Sequence, residues 1–512
     1  MSIPPLLWHG RKNSLLKGID MIFLDHISIR RSRGLPRTFR NDRMRPLMAK
    51  RMFGTAGIRG VTNVEITPEM TLKIATVYGD WLVDQGKETP SVGIGYDTRY
   101  GAEVLARAAA SGFASAGCNV IFYGCVPTGV YALCLDRDKT DGGILITGSH
   151  MPPDRIGIIA CLGDGACAPI DITDQIEDRY HAFSERDRFV PADKIGRIDE
   201  DFHAYEKYVS EIIKLVDPKP IKEKKYRVLI DPANGAGSYI AKELFQWYGC
   251  DVEMIHFNPS PLPERPSEPR ASTIQKAIEM VQKEKCDMGL CLDVDADRSV
   301  FIDADGKPIS EDTVGCLFAK EELNKGDLCV VPINSSGLIE AVCEEIGASL
   351  EYCQVGQPLT IKAVKEKGAL FSYEESGKYY FARTQPWADG LYSGIKMLAM
   401  MQKHGKTLAE LVAPLPVFHQ VKHTVEVDDQ KKEAAIEAAA KRMEDRITEG
   451  KLRDTTIDGF KRSFDDHSWL LLRKSGTEPL VRVYSDAPSL DRAEALVRDG
   501  SAVLKDALND LE

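Results

Sequence analysis

The stretch Met288-Gly-Leu-Cys-Leu-Asp-Val-Asp-Ala-Asp-Arg298 decides how the chain is read. Its first five residues are an uncharged apolar run, the pattern of a strand buried on both faces of a sheet. Three carboxylates follow at alternate positions, Asp293, Asp295 and Asp297, and then Arg298. Acids presented at a strand end can converge on one hard cation, and an oxygen-only ligand set favours Mg²⁺. A calcium loop of the EF-hand type needs Gly at its sixth position and Glu at its twelfth; Arg298 and Ala304 stand there, so that geometry fails. Read as a plain acidic turn, the three charges would repel one another unless a metal or a cation neutralised them.

Similar runs recur along the chain. Ser91–Gly95, Asn119–Tyr123, Gly143–Ile146, Arg227–Ile230 and Leu328–Pro332 read as strands. Between them lie helical patterns at Ala102–Ala116, Ile240–Tyr248 and Ile274–Lys285. This alternation predicts successive α/β units. At 512 residues, 43% apolar and 28% charged, the chain has material for several cores. Its net charge of −11 argues against a general nucleic-acid binder and suits small-molecule chemistry. The twelve cysteines lie between Cys118 and Cys353 with no C-x-x-C pair, which excludes a zinc ribbon and reads as reduced thiols in the cytoplasm. Ala108–Leu135 carries no charge over 28 residues, but its glycines, Pro127 and Asn119 predict buried helix, turn and strand rather than a membrane span.

Residues 1–50 differ from the rest, with eleven Lys/Arg against three Asp/Glu. They read as a disordered extension or a start codon placed too early, with Met44, Met48 and Met52 as later candidates, ahead of a transit peptide. The remaining divisions fall at 51–200, 201–305, 306–415 and 416–512, the last opening after Pro414 and Pro416.

Two further loops carry chemistry. Thr147-Gly-Ser149-His150-Met-Pro-Pro153 follows an apolar strand, where a serine on a tight turn can serve as nucleophile or phosphate carrier or merely cap a turn. The hydrolase elbow G-x-S-x-G is absent. Arg473-Lys-Ser475-Gly-Thr477-Glu-Pro-Leu-Val-Arg482 combines hydroxyls, a flexible glycine and arginines into a phosphate cradle, or forms a plain hairpin. The P-loop lookalike at Gly405-Lys-Thr407 has Met400 where its first glycine belongs and is discarded.

Phe53-Gly-Thr-Ala-Gly-Ile-Arg59, the Ser149 loop, the triple-Asp loop, Glu374-Glu-Ser376-Gly and the Arg473–Arg482 loop occur in the order found in the α-D-phosphohexomutases, which the chain resembles from Met52 onward. The resemblance implies three α/β/α units with mixed sheets and a smaller C-terminal α+β domain, arranged round a central cleft. It implies phosphate transfer between the 1- and 6-positions of a hexose. Ser149 would be the phosphoserine, and Asp293, Asp295 and Asp297, with an oxygen of that phosphate, would hold Mg²⁺. Arg59, His150 and Arg298 would flank the transferring group. Val355 and Gly356 would sense the sugar ring, and Glu374 and Ser376 would bind its hydroxyls. Arg473, Ser475, Gly476, Thr477 and Arg482 would grip the phosphate that is not reacting.

The chain departs from the family pattern at four places. Met151 replaces Asn after the serine, and Ile159 replaces a lysine that helps move the hydroxyl proton. Lys378 replaces a histidine on the sugar loop, and Val294 and Ala296 replace glycines of the metal loop. Lys378, desolvated near a cation, is expected to have a depressed pKa and to act as the base, with His150 as its rival. Glucose or mannose phosphate is the expected substrate, with glucosamine or pentose phosphates as alternatives. A catalytically weak sugar-phosphate sensor and a phosphatase are the readings from other classes. No nucleic-acid or membrane partner is expected, and nothing in the sequence sets the oligomeric state.

Overall fold

The computed structural model describes residues 51–54, 57–184, 189–476 and 478–511. The extension at 1–50 and Thr477 therefore lie outside the described residues. Four sheets follow one another along the chain. The first is mixed and six-stranded, in the order Ile58–Val61, Arg155–Leu162, Gly142–Thr147, Ser91–Tyr96, Asn119–Cys125, Ile198–Glu200. The second runs Pro308–Ile309, Ser299–Asp303, Met288–Leu292, Arg227–Asp231, Asp251–Met254. The third runs Ser349–Cys353, Leu328–Pro332, Phe371–Glu374, Lys378–Phe381 and is also mixed. The fourth is antiparallel throughout, from His419–Glu426 to Lys451–Thr455, and carries the helices Lys432–Arg446 and Leu490–Asn509. Three α/β/α units and a smaller α+β unit are thus present, as the alternation of runs predicts.

The apolar runs become strands because they are buried on both faces. Met288–Leu292 pairs in parallel with Arg227–Asp231 and antiparallel with Ser299–Asp303, and every residue in it is buried. The uncharged stretch at Ala108–Leu135 resolves into the end of the helix Ala102–Ser115, the strand Asn119–Cys125 and the start of the helix Thr128–Arg137. Gly112 is required there, because a Cβ would stand 2.3 Å from the Leu72 carbonyl oxygen of the adjoining helix Pro68–Asp84. Among the described residues no helix is long and apolar enough to cross a membrane.

One segment absent from the predicted strands is Ile156–Ala160. It lies in the interior strand Arg155–Leu162, hydrogen-bonded on both sides. Three β-branched isoleucines prefer that pleated, half-buried surface to a turn.

The first three units share one hydrophobic core. Tyr131, Tyr208, Phe245, Phe318 and Tyr392, from helices of all three, lie in one contiguous buried cluster, whereas the fourth unit has a separate core around Phe464, Leu472 and Leu504. Tyr208 donates a 2.8 Å hydrogen bond to the buried Asp389 carboxylate, joining the helix Ala204–Leu215 to the cap of the helix Gly390–His404. The strand ends that bear polar residues are held against one another by this packing.

Candidate active site

Ser149 sits two residues beyond the strand Gly142–Thr147 with φ of +44°, and it is buried. A non-glycine residue in the left-handed region stores strain that its surroundings must hold in place. The holders are visible. Arg99 donates hydrogen bonds of 2.6 Å to the carbonyls of Ser149 and Met151, and Asp97 accepts the Gly148 amide at 2.8 Å. The Ser149 amide bonds to Thr147 Oγ1 at 2.9 Å. Thr147 Oγ1 in turn lies 2.8 Å from Asp97 Oδ2 and 2.7 Å from Asp295 Oδ2. A hydroxyl has one proton to give, so the second of these contacts needs a proton on a carboxylate. Burial raises the Asp97 pKa, and burial with the Asp293 and Asp297 charges raises that of Asp295 well above the ordinary carboxylate range.

Ser149 Oγ donates to Asp293 Oδ2 at 3.0 Å and lies 3.4 Å from His150 Nδ1. Asp293, Asp295 and Asp297 each offer an oxygen within 4.8 Å of the others, the one such metal-capable group among the described residues. All three are at least 96% buried, and Asp295 Oδ1 and Asp297 Oδ1 have no hydrogen-bond partner. The loop is anchored from below. Arg265 pairs with the buried Asp231 at 2.7 Å and donates to the Leu292 carbonyl at 2.6 Å, and the Arg298 amide donates to Asp293 Oδ1 at 3.1 Å. The Arg298 side chain binds Glu268 at 2.5 Å, with Nε 3.7 Å from Asp293. Burial opposes its charge, but Asp293 and Asp297 outweigh that and raise its pKa. Burial, then the Arg298 and Arg59 guanidiniums, pushes the His150 imidazole down to about 3, so it is neutral near pH 7. Arg59 stands on the strand Ile58–Val61 opposite Gly157.

Lys378 is brought into this cluster from the third unit. Its ammonium donates to Asp297 Oδ2 and to Gln357 Oε1, both at 2.6 Å, and the side chain is 92% buried. The expectation of a depressed pKa is corrected here: burial is the largest influence and lowers it, but Asp297, Glu374 and Asp295 together outweigh burial and Arg298, and the shift is upward. Gly377, at φ of +80°, makes the turn before it, and a Cβ there would meet the Ser299 carbonyl oxygen at 2.6 Å. Glu374 pairs in register with Lys378 and accepts the Tyr380 hydroxyl at 2.6 Å. Ser376 Oγ is buried without a partner.

Val355, Gly356 and the fourth unit meet at Asp458. Its Oδ2 accepts the Val355 amide at 3.1 Å and Arg473 Nε at 2.7 Å. Arg473 lies directly opposite Arg482 on the adjoining strand. The Ser475 carbonyl accepts from the buried Lys432 at 2.9 Å, and Ser475 Oγ accepts the Glu478 amide at 3.2 Å. Gly476 faces open space. Sequence reasoning missed Asp97, Arg99, Glu268, Gln357, Lys432 and Asp458. Only Asp97-Thr-Arg99 had a signal, a charged pair closing an apolar strand.

Three α/β/α units, an antiparallel fourth, and a strained serine bonded to an acidic triad define a class of phosphosugar enzymes. The models for phosphoglucomutase/phosphomannomutase α/β/α domains I, II and III and for the C-terminal domain match residues 50–187, 206–306, 310–418 and 424–500. A phosphoglucomutase/phosphomannomutase of Thermococcus kodakarensis is 34% identical over 90% of this chain and 99% of its own length. A phosphoglucosamine/phosphogalactosamine mutase of Sulfurisphaera tokodaii is 31% identical over 88% and 98%. The crystal structure of a phosphoglucomutase/phosphomannomutase family protein from Burkholderia thailandensis superposes with a TM-score of 0.78 at 24% identity, covering 89% of this chain and 97% of that one. The chain belongs to the phosphoglucomutase/phosphomannomutase family and is a mutase of that type, an isomerase.

Proposed function

We propose that the chain is a Mg²⁺-dependent phosphohexomutase. It interconverts hexose 1-phosphate and hexose 6-phosphate, with glucose or mannose as the sugar, through a phosphoserine at Ser149 and a bisphosphorylated sugar. The supporting observation is the 3.0 Å bond from Ser149 Oγ to Asp293, which puts a hydroxyl on a strained turn against a buried acidic triad. Two triad oxygens lack partners, no His or Cys joins the group among the described residues, and Lys378 and Arg298 offset only part of the charge. That donor set fits a hard divalent cation. Asp293, Asp295 and Asp297, with an oxygen of the Ser149 phosphate, would hold Mg²⁺, which would supply charge neutralisation at the transferring group.

In the forward half, the phosphorus–Oγ bond of phosphoserine breaks as a bond forms to a free sugar hydroxyl, whose proton must leave. The bisphosphate then turns, and the phosphate from its other end returns to Ser149 Oγ. Such transfer rests on positioning and on spreading charge. Arg59 and Arg298 flank the moving group. Glu374 and the unpartnered Ser376 hydroxyl take the sugar hydroxyls, beside Val355 and Gly356. Arg473, Ser475, Gly476, Thr477 and Arg482 hold the other phosphate. Lys378, kept charged by Asp297, orients that carboxylate and Gln357 and does not accept the proton. His150 is the remaining candidate acceptor, neutral and 3.4 Å from Ser149 Oγ, with a basicity that burial and the two guanidiniums hold low.

A phosphoglucosamine mutase is the second reading, favoured by the name of the Sulfurisphaera relative. We place the enzyme in the cytoplasm, where its twelve free cysteines suit a reducing compartment. Assaying the purified enzyme on the 1-phosphates of glucose, mannose, glucosamine and ribose tests the proposal. Conversion of glucose or mannose phosphate at the highest kcat/KM supports it; preference for glucosamine phosphate supports the second reading; stoichiometric release of inorganic phosphate contradicts both.

A further inference from the structure

Beside the site, two thiols face one another in a way the proposed mutase chemistry does not use. Cys161, near the end of the strand Arg155–Leu162, forms an isolated antiparallel bridge with Cys167. The flanking hydrogen bonds run from the Leu162 amide to the Ala166 carbonyl and from the Ala168 amide to the Ala160 carbonyl, both 2.8 Å. The two cysteines therefore occupy a non-hydrogen-bonded cross-strand pair, where Cα atoms stand about 4.5 Å apart and side chains share one face. That separation lies inside the range that a disulfide spans without backbone movement. Cys161 is buried, and Cys167 is the less buried residue of the pair. The hydrogen bond to Cys161 lowers the Cys167 pKa against the effect of burial, and the nearby Lys378 ammonium adds to the lowering.

The hairpin between the two cysteines is also a contact between units. Its tip residue Ala166 is buried in a cluster with Ile361, Tyr380 and Ala388 of the third unit. Asp164 pairs with Lys365 of that unit at 2.5 Å. Gly165, at φ of +83°, packs so closely on Trp387 that a Cβ would lie 3.0 Å from its ring. The third unit supplies Lys378 and Glu374 to the candidate active site.

We propose that Cys161 and Cys167 form a reversible disulfide, made by exchange with a low-molecular-weight disulfide, that stiffens the hairpin joining the first unit to the third and slows turnover. The Cys167 thiolate attacks one sulfur of the reagent disulfide and expels a thiolate, leaving a mixed disulfide. The Cys161 sulfur then attacks Cys167 and expels the second thiolate. The two cysteines are oxidised by two electrons, their two protons end on the two released thiols, and the reagent disulfide is reduced. The exchange runs backward when a thiol reductant is in excess.

The test uses the folded full-length chain, incubated with glutathione disulfide, quenched in acid, alkylated and mapped by peptide mass spectrometry. The expected result is a linked Cys161–Cys167 peptide with the other ten cysteines alkylated. Melting temperature should rise, and turnover should fall about fivefold or more if hairpin movement gates the cycle; dithiothreitol should reverse both changes. Cys161→Ser and Cys167→Ser should each turn over like the reduced wild type and ignore the oxidant. The proposal is overturned if the pair stays reduced until the protein unfolds, if another pair links first, or if the linked protein turns over as the reduced one does. The mapping does not depend on which sugar the enzyme takes, so its failure is separate from failure of the proposed function.

Discussion

Replacing Lys378 by Met removes a charge from the centre of the site while keeping the side-chain stem. In the wild type the ammonium is 92% buried and contributes two 2.6 Å bonds, to Asp297 and to Gln357. Met fills nearly the same volume, so the cavity penalty is small. What remains is an Asp297 carboxylate with one oxygen already unpartnered and the other now stripped of its cation. Removing one member of a buried ion pair costs about 3–5 kcal/mol, and the nearby Arg298 brings the expectation to the lower end, about 3 kcal/mol. For the three units that share one core, about 365 residues, that is a fall in Tm of about 4 °C without added metal. The triad has also lost a compensating charge, so a divalent cation gains more by binding the variant. Differential scanning fluorimetry in EDTA and in millimolar Mg²⁺ reads both effects. The variant should melt lower in EDTA and recover more with Mg²⁺ than the wild type does. Its pH–rate profile should keep both limbs, since a lysine held charged is not the base. A Tm in EDTA within about 2 °C of wild type, or an equal Mg²⁺ shift in both proteins, would refute the reasoning.

Three other outcomes follow from the same geometry. Chelation should abolish activity and Mg²⁺ should restore it, while Asp295→Asn, which also unsettles Thr147, should lose about a hundredfold or more in kcat with its secondary structure intact by circular dichroism. His150→Gln, which keeps a polar group but accepts no proton, should lower kcat about a hundredfold with little change in KM; an unchanged kcat would remove His150 from the relay. Lys461 is fully buried, donates to the Ile333 carbonyl at 3.1 Å and is pushed down to about 7 by burial, so its folded form binds fewer protons than the unfolded chain between pH 7 and 10.5. Its contribution to stability therefore rises with pH across that window, and the wild type should gain on Lys461→Met in urea melts between pH 7 and pH 9.

The strands that set the fold were legible because they are continuous apolar runs, and Met288–Leu292 and Leu328–Pro332 match their sequence readings to the residue. The strand Arg155–Leu162 is missing from the predicted set although Ile156, Ile158 and Ile159 give it β-branched content. The acidic triad was legible for a different reason: alternate carboxylates after an apolar strand have few uses. Asp458 and Gln357 were not: Asp458 accepts from Val355 of another unit, 103 residues away, and Gln357 meets Lys378 21 residues on within its own unit, separations no local pattern records. The sign of the Lys378 shift was lost the same way. Sequence supplied its burial but not the carboxylate 2.6 Å away, which together with Glu374 and Asp295 outweighs burial.

The central claim is that Ser149 carries the phosphate, and mass spectrometry of the intact protein and of its Ser149 peptide tests it most directly. After incubation with hexose 1,6-bisphosphate and Mg²⁺, the account predicts one added phosphate, located on Ser149, that passes to hexose monophosphate when that is supplied. Ser149→Ala should take up none and should lose turnover by several orders of magnitude. A phosphate on another residue, or near-wild-type turnover in Ser149→Ala free of contaminating enzyme, would contradict the account.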